Sequence, residues 1–342
     1  MNRRKILGIA LTALLLLGSC GKEQEPGWNG LWDSGFPVTF SACQAPAATK
    51  TSDPVPTTIH FGVLGFEQEG VAGDPGTPGS WSQLATKNWT PEFMYNVEVY
   101  HNGTAWTYSP AKQWPSDVIN TITFWAYAPY SGTPDLLESG TNNSYDDTSV
   151  GLPDVRFTVT DGSDDLLFSE LKEDLDKTDG TVQFLFHHAL SQIRFFAKKV
   201  DATSRFTVNL TSVRLDGLKM TAVHRSGGWT DYSSTTGSIT LISSSQELGT
   251  NYPASPYATV MPLPQTFSGS GATLHLEYTI QSADMLTPRT AIHDIPLDGI
   301  FTADWVEENQ YTLKVHITPD DPIEFTVTWS SWGSATNYNL TS

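Results

Sequence analysis

Nearly every apolar stretch of this chain repeats with the period of a strand, and almost none repeats with the period of a helix. "FPVTFSA", residues 36–42, sets Phe36, Val38, Phe40 and Ala42 on one face and Pro37, Thr39 and Ser41 on the other. One side is therefore predicted buried and the other wet. "TTIHFGVLGF" (57–66) and "NTITFWAYAPY" (120–130) read as further strands, the second closed by Pro129. In "YNVEVYHNGTAWTYS" (95–109), Val97 and Val99 alternate with polar neighbours, and Asn102-Gly103 supplies the positive φ of a type I′ hairpin turn. Strands are also predicted over 181–187, 191–200, 205–217, 237–242, 256–261, 272–280, 310–318 and 322–330. Only "DDLLFSELKEDLDK" (164–177) has some helical character.

Many short strands joined by turn residues can bury their apolar faces only by stacking or closing sheets. The expectation is all-β, with β-sandwich packing throughout. A length of 342 residues exceeds one such sandwich. The polar passage near 169–180 is the expected break, giving domains over 36–178 and 179–342.

The start of the chain has a different logic. Arg3, Arg4 and Lys5 precede an apolar run from Ile6 to Leu17, followed by Leu17-Gly18-Ser19-Cys20. The run is shorter than the roughly 20 residues that span a bilayer, and the layout is that of a secretory signal. The last four residues have the pattern of a lipobox, so residues 1–19 are expected to be removed and Cys20 lipidated. Acyl chains there would hold the protein to a membrane, with residues 20–35 as a tether. The other cysteine is Cys43, so a lipid on Cys20 leaves no intrachain disulfide. The sheets must hold themselves together.

The formal charge is −18, and loss of Arg3, Arg4 and Lys5 would make it more negative. With no basic stripe, nucleic acid is excluded as a partner. Motifs for catalysis are missing: the sequence has no Gly-x-Ser-x-Gly, no His-Glu-x-x-His and no phosphate loop. His187 and His188 are adjacent, and on a strand they point to opposite faces, which suits structural roles better than a shared metal. Asp174, Asp176 and Asp179 lack the ligand spacing of a calcium loop. No enzyme, cofactor or metal is expected. Trp81 and Trp89 lie near a Gly/Pro-rich loop, where exposed indoles could contact a ligand by stacking on sugar rings.

Three passages in order carry a resemblance. "WTYSPAKQWPSDVINTITFWAYAPY" (106–130) contains W-x-Y-x-P, W-P and F-x-A-Y-x-P. "DLLFSELKEDLDKTDGTVQFLFHHALSQIRFFAKK" (165–199) places His188 on a recurrent histidine, and "FTADWVEENQYTLKVHI" (301–317) is followed by "EFTVTWSSW" (324–332). The chain resembles the fimbrillin-like (Mfa-like, type V pilin) lipoprotein family of Bacteroidetes, and Gly21-Lys22-Glu23 is similar to the surface-export tag of that group. The resemblance implies two tandem transthyretin-like Greek-key sandwiches, export to the outer membrane and a role as a structural or accessory subunit of type V fimbriae in cell adhesion. It also implies assembly by donor-strand exchange with other pilus subunits. In that scheme a protease removes the first strand, here Phe36, Val38, Phe40 and Ala42, and a partner's strand fills the groove. The family's cleavage residue is usually arginine; this chain has none between Arg4 and Arg156 and offers Lys50-Thr51 instead. The segment 325–342 is the expected donor. The alternative is a permanently lipid-anchored module that binds a glycan or host ligand through Trp81 and Trp89 and does not polymerise.

Overall fold

The computed structural model describes residues 35–44, 53–70, 77–81, 88–116, 119–200, 205–301, 303–318, 324–331 and 338–340. Among them every regular element is a strand apart from one short 3-10 turn at Leu297–Gly299. The molecule is an all-β protein with sandwich-like sheets, as its alternating pattern predicts. The passage with helical character is two short strands, Leu167–Ser169 and Lys172–Leu175. Its polar residues continue the sheet beside Thr121–Ala128, which overrides local helix preference.

The first sheet closes on itself. Phe40–Gln44 runs parallel to Val182–His188, which pairs with Leu167–Ser169. That strand pairs in turn with Thr121–Ala128, and the path continues through Phe61–Gln68 and Met94–His101 to Trp106–Thr107. The ring returns to Phe40–Gln44 through a single pair, Phe40 with Trp106. Closure leaves few free edges. Inside lies an aromatic core that includes Phe40, Phe61, Phe124, Phe184 and Phe186. Asn102-Gly103 does turn the expected hairpin, with Gly103 at φ 97°. The loop runs over four residues from His101 to Trp106, longer than a type I′ turn.

Phe61–Gln68 and Thr121–Ala128 are buried almost without interruption. Strands read this way when both faces are covered. Their outer face carries a separate cluster of Leu64, Phe66, Trp81, Trp125, Tyr127, Leu136, Tyr145 and Val155. The segment through Gly79 approaches so closely that an added Cβ would stand 2.1 Å from the Gln68 carbonyl oxygen, so only glycine fits there.

A second sandwich follows. One sheet contains Ala258–Val260, Gln192–Lys199, Asn309–Ile317, Glu324–Ser331 and Tyr338–Leu340; the other contains Thr236–Ile242, Phe206–Lys219, Thr273–Ser282 and Arg289–Pro296. Leucine, isoleucine and valine dominate the core between them. Val182–His188 lies beyond the expected break at 178/179, yet by pairing it belongs to the first sheet. The change of sheet comes between His188 and Gln192. A small sheet of Leu136–Leu137, Asp154–Thr158, Thr221–Arg225 and Gly228–Thr230 joins strands from the two sides of that change. There Arg225 is paired with the buried Asp154 and with Asp231.

Candidate functional site: the first strand and its groove

The alternation in "FPVTFSA" predicts four buried positions, and the structure buries three. Val38, Phe40 and Ala42 are in the first core, whereas Phe36 is 63% exposed. The reason is where the strand begins. Regular pairing starts at Phe40, and Phe36 lies ahead of it, where Pro37 makes only an isolated bridge to Gln113. Cys43 is buried as well, with its thiol directed at the Phe184 carbonyl at 3.6 Å.

Two walls hold this strand. One is Val182–His188, aligned parallel over five pairs from Phe40–Val182 to Gln44–Phe186. The Val182 N–H donates to the Thr39 carbonyl at 2.9 Å. The other wall is the W-x-Y-x-P…W-P passage. Val38 N–H donates to the Lys112 carbonyl at 3.0 Å, and Trp114 N–H donates to the Phe36 carbonyl at 2.9 Å. The Tyr108 hydroxyl donates to the Val38 carbonyl at 2.9 Å and receives the Lys112 N–H at 3.2 Å. Burial raises the Tyr108 phenol pKa above its ordinary value, so the hydroxyl stays a donor through neutral pH. Phe40 itself sits among the rings of Tyr108, Phe184 and Phe124, at centroid distances of 5.3, 5.5 and 5.7 Å. The motif that carries the family resemblance therefore builds the side of the groove that faces the first strand.

On its far side Phe40–Gln44 meets Asp53–Pro54, with Gln44 opposite Asp53 and Cys43 opposite Pro54. Lys50 and Thr51 belong to the chain between those paired ends and lie outside the described residues, as do Cys20, the signal segment and all of the tether before Gly35. At ~1.5–3 kcal/mol for Val38 and for Phe40, with ~0.8 kcal/mol for the Ala42 methyl, the strand's apolar burial contributes about 4–7 kcal/mol. That is comparable with a whole domain's margin of about 5–15 kcal/mol.

The other expected site residues are placed differently. Trp81 is 2% exposed, so the expectation of an exposed ligand-contact indole is corrected. Its ring packs on Phe66 at 5.0 Å and stacks with Trp89 at 5.7 Å, and its backbone N–H donates to the Asp174 carboxylate. The two indoles close the outer core because the sheet beneath them is apolar on both faces. Trp89 is half-buried, with its carbonyl accepting the Gly151 N–H at 2.9 Å. In the expected donor segment, Tyr338–Leu340 folds back and pairs with Val327–Trp329.

His187 and His188, expected in structural roles, each have specific carboxylate partners. His187 Nδ1 lies 2.7 Å from Glu308 and its Nε2 lies 3.5 Å from Glu170; His188 Nδ1 lies 2.8 Å from Asp165. The hydrogen bond that His187 donates to the Glu308 carboxylate raises the His187 pKa, and the same bond lowers that of Glu308. Glu308 immediately precedes Asn309–Ile317, so this pair ties the first sheet to the second sandwich. Adjacent histidines gave no sign of that carboxylate, which is 121 residues away from His187. Among the described residues no group of three or more His, Cys, Asp or Glu is arranged to hold a metal ion.

The sequence profile of the fimbrillin-like family matches residues 78–332. Fimbrium subunit Fim1C of Phocaeicola vulgatus is 29% identical over 228 residues, covering 62% of this chain and 55% of that protein. The matched part thus spans about half of the length of this relative. A crystal structure of a fimbrial protein from Bacteroides vulgatus superposes with a TM-score of 0.62 at 19% identity, covering 86% of this chain and 99% of the other. A candidate cell adhesion protein from Bacteroides uniformis has a TM-score of 0.51 at 17% identity, with 86% and 98% covered. These two likenesses are in the fold. The matched profile, which takes in most of the described strands and the groove wall at 106–115, establishes that the chain belongs to the fimbrillin-like family.

Proposed function

We propose that this protein is a structural or accessory subunit of a type V-like fimbrium, lipidated at Cys20 for export to the outer membrane and acting in cell adhesion. Its first strand is the exchangeable element. The observation that supports this reading most is the groove around residues 36–44. The segment 36–44 delivers Val38, Phe40 and Ala42 to the core between the parallel strand Val182–His188 and the 106–115 wall, and its downstream link passes through Lys50. Cleavage of the Lys50–Thr51 bond would detach the strand from the remaining chain. A second subunit's strand could then restore both the main-chain bonds and the apolar filling. The names of the relatives, one a fimbrium subunit and one a fimbrial protein, agree with that role.

A permanent lipid anchor at a basal or accessory position is the second reading, favoured by the lysine that stands where the family has arginine. The non-polymerising glycan- or host-ligand binder built on Trp81 loses its main support, because that indole is buried. Mass spectrometry of the surface protein's N-terminus, with gels run without boiling, tests the proposal. Strand exchange predicts Thr51 as the first residue and a denaturant-resistant ladder. Cys20 with its acyl chains and no ladder would reject it in favour of the anchor.

A further inference from the structure

The outer face of the parallel pair Gln192–Lys199 and Asn309–Ile317 departs from the charge of the molecule. The inward positions Ile193, Phe195, Ala197, Tyr311, Leu313 and Val315 fill the second core. The outward positions are Gln192, Arg194, Phe196 and Lys198 on one strand and Gln310, Thr312, Lys314 and His316 on the other. None of these eight is acidic in a chain that carries 37 acidic residues and a formal charge of −18. Glu324 is in backbone register with His316 on the next strand.

The cations are organised around aromatic rings. Lys198 Nζ lies 5.0 Å and Lys314 Nζ 5.2 Å from the centre of the Tyr252 ring, and the His316 ring lies tilted against it at 5.5 Å. Arg194 lies 5.4 Å over Phe196 and donates to Gln310 at 2.9 Å. Among the described residues no carboxylate forms an ion pair with Arg194, Lys198 or Lys314, whereas Arg156, Lys172, Arg214 and Arg225 all have one. Arg194 and Lys198 are four residues apart on one strand, or about 13 Å, with Lys314 between them on the neighbouring strand.

We infer that this face binds a linear sulfated or carboxylated polysaccharide. Three cations in a row over about 13 Å match the spaced charges of such a chain better than a single small anion. The amide and hydroxyl groups of Gln192, Gln310 and Thr312 suit sugar hydroxyls, and the Tyr252 ring offers an apolar edge. The net charge of −18 disfavours a polyanion on the molecule at large and so favours this acid-free face over the rest. This inference is independent of strand exchange and concerns a monomer as well as a fibre.

The test uses the full chain and immobilised heparin as the probe. Binding is expected at about 50 mM salt and should fade by about 300 mM, as screened ionic contacts do. The triple variant R194Q/K198Q/K314Q should weaken it at least about tenfold and flatten its salt dependence. The control K177Q/K219Q, which removes two cations elsewhere, should bind as the parent does. The single variants K198Q and K314Q, each with an unchanged melting temperature, should give intermediate losses if the triple variant folds poorly. Equal binding by parent and triple variant, equal weakening by the control, or no binding at low salt would overturn the inference. So would equal retention on duplex DNA, meaning non-specific polyanion attraction, or salt-sensitive self-association lost in the triple variant, meaning a protein partner.

Discussion

Two strands hold the same place in two different sheets. Phe40–Gln44 opens the first sheet and runs parallel to Val182–His188; Gln192–Lys199 opens the second sandwich and runs parallel to Asn309–Ile317. Each sends an aromatic inward, Phe40 in one case and Phe195 in the other. Their surroundings differ. The second strand is aligned over eight pairs, has Ala258–Val260 on its other side and is followed by Phe206–Lys219. The first is aligned over five pairs and meets its other neighbour in the ring at one residue. Similar inward burial thus goes with long pairing in one strand and short pairing in the other, and the proposed exchange concerns the briefly paired one. What separates them is position in the chain and the length of pairing, not the chemistry of the buried side chains.

The comparison makes graded predictions. Phe195→Ala should cost about 3–5 kcal/mol in urea denaturation, and Phe40→Ala should cost a similar amount in the intact chain. Only Phe40→Ala should also speed release of the first strand, read as faster proteolysis of residues 36–44. Equal protection of that segment in both variants would remove the distinction. Trp81→Ala should cost about 3–5 kcal/mol, because the indole fills the outer core. A Trp81→Ala protein of unchanged stability would return Trp81 to the surface and revive the ligand reading.

The contact between the two sheet systems gives a pH-dependent term. His187 has a raised pKa, so its contribution is complete below its ordinary value of 6.5 and is lost as pH rises through the raised value. Glu308 has a lowered pKa, so its share is complete above its ordinary value of 4.5 and is lost as pH falls through the lowered one. The pair therefore supports the junction fully between about pH 4.5 and 6.5. Melting temperature against pH should show this increment in the parent and not in His187→Gln; identical profiles would contradict it. The smallest effect is expected for Phe36→Ala, within about 0.5 kcal/mol, since that ring projects into solvent ahead of the paired strand.

Much of the fold was legible because the side-chain period was clear. The predicted strands at 191–200, 237–242 and 310–318 match Gln192–Lys199, Thr236–Ile242 and Asn309–Ile317 closely. Arg289–Pro296 was missed because it lies on a sheet edge and is exposed along most of its length, so burial imposes no alternation. Leu167–Ser169 and Lys172–Leu175 were misread because "SELKEDL" has helix-favouring residues and its strand state is set by pairing with Thr121–Ala128. At the site, Val38, Phe40 and Ala42 were readable from alternation. Phe36 was not, since nothing local marks where pairing begins. The burial of Trp81 depends on Phe66, Trp89 and Asp174, three partners that no short pattern connects to it.

In the proposed assembly the first strand completes the first sheet without needing to belong to the same chain. The direct measurement is the melting temperature of residues 51–342, alone and with a synthetic peptide of residues 35–44, with stoichiometry read by native mass spectrometry. The account predicts a poorly stable chain that takes up one peptide and recovers most of the intact protein's melting temperature, with a peptide carrying Phe40→Ala failing to do so. A chain from Thr51 that melts like the intact protein without peptide, or that ignores the peptide, would contradict it.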